Sequence, residues 1–509
     1  SYGSRRSVLH VALAGMPRGS RAGSCALLFL AGPVAALQWY GHRRGTPSTR
    51  RFGSTTDPST AIQPKGPGFL DALVGIALDG SPWQYMLSLR AKGYDGCVRV
   101  PLGPAGDFYF LLSPESVKHV CVEAADEWPR RFSVPLFETL ALDRGIVYEQ
   151  GSRHKRQKRL CTPAFERGAA MASFLQAISL ESDALAARWR CLNRLDLYAE
   201  TRTLTLRVVL RVTFGLEPDD ADAELSDAIA SYLEAIVATA NEVPPLYQLY
   251  PPLSKNYVRV TEELLPRLRR LVKELIEARR RDAAADAPDL LSQLLRDGTL
   301  DDDDILYILF DLVIAGSDTT ASTLAASLYI LHEPRHARLL ERAVDEARRA
   351  DLDGLRLEEV RDALPYHVAV ARETLRLYPP VPFVGRTALS ACDVLGTPAP
   401  EGAVACFSPY ALGRDPGRWG ADADEFRPER WLDSERGGAS SSFSFLPFGA
   451  GPRGCLGTRL GLTEAVVGVA KILRGFSLRF DRSGPLRYKY DLTLNLGDST
   501  TCSVRERGA

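Results

Sequence analysis

Acidic side chains are missing from the first 56 positions; the earliest is Asp57. The same stretch carries arginines at 5, 6, 18, 21, 43, 44, 50 and 51, with several serines. Acid-poor, Arg- and Ser-rich composition is that of an organellar transit peptide. A long membrane-crossing run is also lacking there. Cys25–Leu37 is apolar apart from Gly32-Pro33, but a span needs about 20 residues. An apolar run behind basic residues still suits a signal anchor. Residues 1–60 are therefore expected to be a leader, giving membrane association in a plastid, mitochondrion or endoplasmic reticulum. Net charge is absent too, with 63 basic and 63 acidic residues. There is no global basic excess, so no nucleic acid is expected as a partner. No CxxC pair occurs among the nine cysteines, which lie far apart. That leaves neither a zinc site nor a disulfide framework. Most of them read as reduced core thiols.

What is present is an ordinary globular text, 45% hydrophobic and 25% charged. After a turn-rich Pro64-Lys-Gly-Pro-Gly68 there is no repeat, no low-complexity linker and no second boundary. One domain over 61–509 is expected. Cys97–Val100 and Phe108–Leu112 read as a β-hairpin. Ser113-Pro114 reads as a helix start, Ser as N-cap and Pro at the first position. Helical patterns dominate from 165 to 380. The clearest, Asp303–Leu331, opens on acids and turns almost wholly apolar. A helix apolar all round is buried. Yet its centre holds Ala315-Gly-Ser-Asp-Thr-Thr320, polar groups that cost free energy unless something is arranged around them. The basic run Arg153–Arg159 reads either as a surface for an acidic partner or as a solvated helix face.

Three constellations carry chemistry. The first is Phe448-Gly-Ala-Gly-Pro-Arg-Gly-Cys-Leu-Gly457. A Cys thiolate pushes electron density onto heme iron and favours O–O cleavage. Glycines let backbone N–H groups point at the sulfur of Cys455, and a helix starting near Leu456 turns its positive end toward it. The bland reading is an inert cysteine beside a glycine turn. The same loop contains Gly449-Ala-Gly-Pro-Arg-Gly454, which matches a dinucleotide fingerprint after the strand-like run Phe443–Phe448. The chain remaining after Asp481 is too short for the rest of a doubly wound sheet. The second is Glu373-Thr-Leu-Arg376, whose spacing puts both side chains on one helix face; Arg430 is a third possible member. Its bland reading is a surface pair worth well under 1 kcal/mol. The third is the polar centre of the buried helix. Asp318 and Thr319 can relay protons from water, and Gly316 leaves room for a ligand. Its bland reading is a local kink with Thr hydroxyls bonded back to helix carbonyls.

In this order and spacing the three motifs resemble the cytochrome P-450 superfamily, over roughly residues 64–500. Tyr378-Pro-Pro-Val-Pro382, Gly413-Arg-Asp-Pro416 with Trp419, and Glu464 nine residues after Cys455 are similar as well. The resemblance implies an α+β, mostly helical domain with a small β-sheet region around buried heme b. It implies Cys455 as the metal ligand, with Phe448, Gly451, Gly457 and Ala315 also at the cofactor. Asp318 and Thr319 become the catalytic acid–alcohol pair, and Glu373, Arg376 and Arg430 a structural triad. Arg453 and Arg386 become propionate partners. The family's early helix usually carries Trp and, four residues on, Arg at a propionate. Here His154 and Lys158 occupy those positions, both possible donors; the alternative for His154 is an exposed residue of a basic helix. Trp431 stands where Phe is common.

The activity implied is insertion of one oxygen atom of O2 into a lipophilic small molecule. Electrons would come ultimately from NADPH through a separate reductase or ferredoxin. The resemblance also implies Arg131–Leu142, Val381–Val384 and Leu492–Leu496 as candidate substrate contacts. The rivals are a heme-thiolate isomerase or peroxide-using enzyme, an NAD(P)-dependent dehydrogenase using the glycine fingerprint, and a heme carrier without turnover.

Overall fold

The computed structural model describes residues 66–508, apart from 103–105, 134–135, 138–139, 141–143, 167, 217–219, 241, 243–245, 282–286, 433–441, 483–485, 492 and 497–499. The expected leader and parts of two candidate substrate runs lie outside the described residues.

The chain opens with helices α1 (Phe69–Asp79) and α2 (Pro82–Ala91). Ser81 starts α2 by accepting from the Gln84 N–H at 3.3 Å, with Pro82 at the first position. The strands, in chain order, are β1 (Cys97–Pro101), β2 (Asp107–Leu111), β3 (Arg130–Arg131), β4 (Arg194–Asp196), β5 (Val384–Thr387), β6 (Cys392–Val394), β7 (Thr397–Ala399), β8 (Val404–Phe407), β9 (Phe476–Phe480), β10 (Tyr488–Asp491), β11 (Thr493–Leu496) and β12 (Thr501–Glu506). The expected hairpin forms as β1 against β2, Cys97 opposite Leu111. The largest sheet has the order β1-β2-β8-β5-β3. Its far edge places Arg131 opposite Arg386, a juxtaposition that matters below.

The remaining bulk is helical: α3 (Gly151–Glu166), α4 (Gly168–Trp189), α5 (Leu197–Phe214), α6 (Asp220–Ala240), α7 (Leu265–Arg281), α8 (Leu290–Asp297), α9 (Asp302–Leu331), α10 (Ala337–Arg349), α11 (Pro365–Leu377) and α12 (Thr458–Gly475). This is the α+β, mostly helical architecture expected. α9 starts where Asp301 accepts from the Asp304 N–H at 2.7 Å, and three more acids sit in its first turn. Those acids complement the positive end of the helix dipole. From Ile305 onward α9 is buried on nearly every face. Among the described residues it is the one helix long and apolar enough to cross a membrane, and it is the core helix instead.

Close helix contacts explain two glycines. A Cβ on Gly316 would lie 3.0 Å from Val209 of α5, and one on Gly468 of α12 would lie 2.9 Å from Leu324 of α9. Gly316 therefore serves the α5–α9 packing. This corrects the expectation that Gly316 opens space for a ligand; its neighbour Ala315 faces the open side.

The glycine fingerprint does not sit in a dinucleotide fold. Residues 442–444 form a 3-10 turn and the rest of Phe443–Phe448 is irregular rather than a strand. The next strand, β9, pairs antiparallel with β12, so no parallel sheet follows the loop.

At the end of α9, His332 donates through Nδ1 to Leu328 O at 2.7 Å and accepts from the Leu478 N–H at 3.4 Å. Burial, opposed by that carbonyl, pushes its pKa down from 6.5 to about 4. The unfolded chain then binds a proton that the folded chain refuses between those values. Stability is full above the unfolded pKa and falls as pH drops toward 4, by about 1.4 kcal/mol per pH unit. Urea unfolding at pH 7.5 and pH 5 should show this loss, and a His332→Gln protein should lose about that much less between the two pH values.

Candidate active site

The Cys455 loop is shaped by two left-handed glycines, Gly449 (φ 69) and Gly451 (φ 66). Only glycine takes this conformation without strain. A Cβ on Gly451 would also fall 1.8 Å from Cys121 O. Gly451→Ala is expected to destabilise by roughly 2 kcal/mol or more through strain and overpacking, read as a lowered Tm of the heme-loaded protein. The loop closes on itself: Gly454 N–H donates to Gly451 O at 2.9 Å and Cys455 N–H to Phe448 O at 2.8 Å. α12 then begins at Thr458 with Gly457 as its N-cap.

Cys455 is accessible to a solvent-sized sphere, yet protein surrounds it on nearly every side. Burial raises its pKa; the Gly457 amide, Arg131, Thr458 and Lys158 pull it back down. Ala315 is likewise exposed in the middle of buried α9. The two helices meet nearby: a Cβ on Gly461 of α12 would be 3.5 Å from Thr320 Oγ1. Cys455 and Ala315, both expected at the cofactor, are thus both exposed.

A cluster of cations lies beside it. Arg131, Arg386, Arg453 and Lys158 all bear on His154, whose pKa burial and these charges together push down to about 3. His154 is 6% exposed, which overturns its alternative as a surface residue and keeps it neutral at pH 7. Arg386 is 2% exposed and Arg453 7%. Burial, then Arg131, pulls both guanidinium pKa values down to about 10. Among the described residues none of the four cations is ion-paired to a carboxylate. Arg453 donates instead to Pro129 O (3.1 Å), Glu149 O (2.7 Å) and Gln150 Oε1 (2.8 Å). Arg386 reaches only Gly385 O, at 3.0 Å. Arg131 donates to Arg453 O at 3.0 Å and its buried Nε has no partner. Burying several uncompensated positive charges is costly. An anionic group of two carboxylates beside a thiolate-accepting metal would satisfy this cluster. These residues fit heme b: Cys455 would hold the iron, and Arg131, Arg386 and Arg453 would meet its propionates. Arg131 was not foreseen in this role. Its signal is pairing across β3 and β5, which no local pattern reveals.

Around Glu373 the surface-pair reading fails. The side chains of Glu373 and Arg376 are both 0% exposed and that of Arg430 is 6%. Glu373 accepts from Arg376 Nε (2.8 Å) and Nη2 (2.7 Å), Arg430 Nε (2.9 Å), the Arg427 N–H (2.9 Å) and Trp431 Nε1 (2.9 Å). Arg376 also donates to the carbonyls of Gly413 (2.5 Å), Ala423 and Glu425 (2.9 Å). Trp431 is thus a bonded member of the network, which phenylalanine is unable to be.

The acid–alcohol pair is differently disposed. Thr319 Oγ1 donates back to Ala315 O at 2.7 Å. Asp318 accepts from Tyr198 Oη at 2.8 Å and from Thr493, and faces Arg202 at 3.7 Å. The basic run of α3 is largely spent internally. Arg153 pairs with Glu149 (2.8 Å) and Asp304 (2.7 Å), and Arg156 bonds Thr299 O; Lys155 and Arg159 stay exposed.

A mostly helical domain with a thiol loop, a buried Glu–Arg core and an uncompensated cation cluster defines a heme-protein architecture. A family model described as Cytochrome P-450 matches residues 64–496. The chain belongs to that family, and its relatives make it an oxygen-incorporating oxidoreductase. It is 30% identical to cyclooctatin synthase of Streptomyces melanosporofaciens, covering 89% of this chain and 95% of that protein. It is 31% identical to cyclooctat-9-en-7-ol 5-monooxygenase of the same organism, over 84% and 94%. It is 30% identical to pentalenene oxygenase of Streptomyces avermitilis, over 80% and 89%.

Proposed function

We propose that the protein hydroxylates a lipophilic small molecule, with Cys455 holding the heme iron. The supporting observation is the accessible Cys455 thiol beside a buried, uncompensated cation cluster. The net change is R–H plus O2, two electrons and two protons giving R–OH and water. Bound heme supplies O2 binding and O–O cleavage, favoured by the thiolate.

The chain does the rest. Arg131, Arg386 and Arg453 orient and neutralise the propionates, while Lys158 stays on the carbonyls of the Cys455 loop. Apolar side chains around Ala315 exclude bulk water. Asp318 collects protons at the end of the Tyr198–Thr493–Arg202 network, and Thr319 hands them on after releasing Ala315 O. The relatives named for pentalenene and cyclooctat-9-en-7-ol favour a hydrocarbon-rich, ring-bearing substrate here. The mainly apolar runs Val381–Val384 and Leu492–Leu496 are the expected substrate contacts, as suits an oily ligand. Electrons come from NADPH through a separate reductase or ferredoxin. The leader anchors or targets the protein to a membrane-bearing organelle or the endoplasmic reticulum.

Thr319→Ala tests the relay. Substrate-dependent O2 uptake is expected to persist while product per O2 falls about a hundredfold, the lower end of what general acid catalysis contributes. Full product turnover in Thr319→Ala without substrate-dependent O2 uptake would favour the isomerase or peroxide-using reading. A heme spectrum without substrate-dependent O2 uptake under any reductase would favour a carrier.

A further inference from the structure

Lys158 departs from the other cations of the cluster. Its Nζ donates to Pro452 O at 2.8 Å and to Gly454 O at 3.0 Å. Both carbonyls belong to the loop that carries Cys455, and Gly454 precedes it directly. The ammonium and the thiol bear on one another electrostatically. Its reach is fixed from behind: Lys158 stands on α3, and Thr162 Oγ1 donates to Lys158 O one turn on, at 2.7 Å. Arg131 and Arg453 also lie at this loop. Arg131 holds Arg453 O, and Arg453 is spent on residues 129–150. Lys158 is the cation that binds the loop carbonyls on both sides of the Arg453–Gly454 peptide.

We infer that Lys158 is a positioning residue for the axial ligand, bracing the Cys455 loop and holding a positive charge beside the sulfur that tempers its electron donation to iron. The inference rests on the reading of Cys455 as the iron ligand. Ferric heme with one thiolate has no net core charge; adding an electron makes the core negative. A nearby fixed cation favours the reduced form and makes the first electron easier to accept. A partly buried site screens such a charge far less than water does. Hydrogen bonds and charge around ligand sulfur are a general means of setting a metal's potential.

The test is the one-electron midpoint potential of the heme-loaded full chain, parent beside Lys158→Met and Lys158→Arg. Lys158→Met is expected to lower the equilibrium constant for reduction about tenfold, equivalent to about 59 mV for one electron. Lys158→Arg is expected to stay within about twofold of the parent. A Lys158→Met protein within twofold of the parent would overturn the inference. Equal losses in both variants would do the same, since geometry rather than charge would then be responsible. If Lys158→Met fails to retain heme, Lys158→Gln replaces it with the same thresholds. A parent without a red-shifted reduced carbon monoxide band would instead sink the ligand assignment itself.

Discussion

Cys455→Ala is expected to abolish the red-shifted Soret band of the reduced carbon monoxide complex and to reduce O2-dependent turnover by about a thousandfold or more. That loss corresponds to about 4 kcal/mol of barrier, the thiolate push on O–O cleavage being removed entirely. The Cys455 side chain is exposed rather than part of the apolar core, so its truncation removes little packing. The apo-protein should unfold at nearly the same urea concentration as the parent apo-protein. Cys161→Ala provides the contrast. Cys161 is 0% exposed and its thiol is pushed up to about 12 by burial. That variant should lose stability but keep the band. A normal band in Cys455→Ala would remove the ligand assignment and everything derived from it.

Glu373→Ala carries the largest expected cost in stability. It strips the carboxylate from two buried guanidinium groups and from the donors of Arg427 and Trp431. Breaking a buried pair by removing one partner costs about 3–5 kcal/mol, because a charge is left uncompensated. Whole-domain stability is on the order of 5–15 kcal/mol, so little heme-loaded protein should accumulate. Arg376 already has burial lowering its pKa, offset by Glu373; without Glu373 that offset disappears. Glu373→Gln keeps acceptor and shape and should recover part of the yield. Soluble heme per cell and urea midpoints of the three proteins decide the matter. A cost under 1 kcal/mol would mean a screened surface pair, against the 0% exposure of both side chains.

How far the site could be read in advance depended on whether its parts were local in sequence. The Cys455 loop is local: its glycines, its thiol and the following helix start within a few residues. Glu373 and Arg376 are local too, one helix turn apart, and the apolar length of α9 forced its burial. Arg131 is not local. It meets Arg386 because β3 pairs with β5, a contact spanning the molecule. Asp318 was recognisable as a candidate acid, but its partners Tyr198 and Thr493 come from α5 and β11. Trp431 looked like a mild replacement until its indole N–H was seen on Glu373.

Residue types at short spacing marked the candidate ligand and determined the ion-pair core, the buried helix and the helical class, because loop geometry and helix periodicity act within a few residues. The direction of each long side chain was decided by tertiary structure alone. Gly316 faces α5, His154 is buried among cations, and Lys158 turns to the Cys455 loop. In each case the outcome depends on which distant element packs alongside and on where buried charge finds a partner, and neither is written in the local sequence.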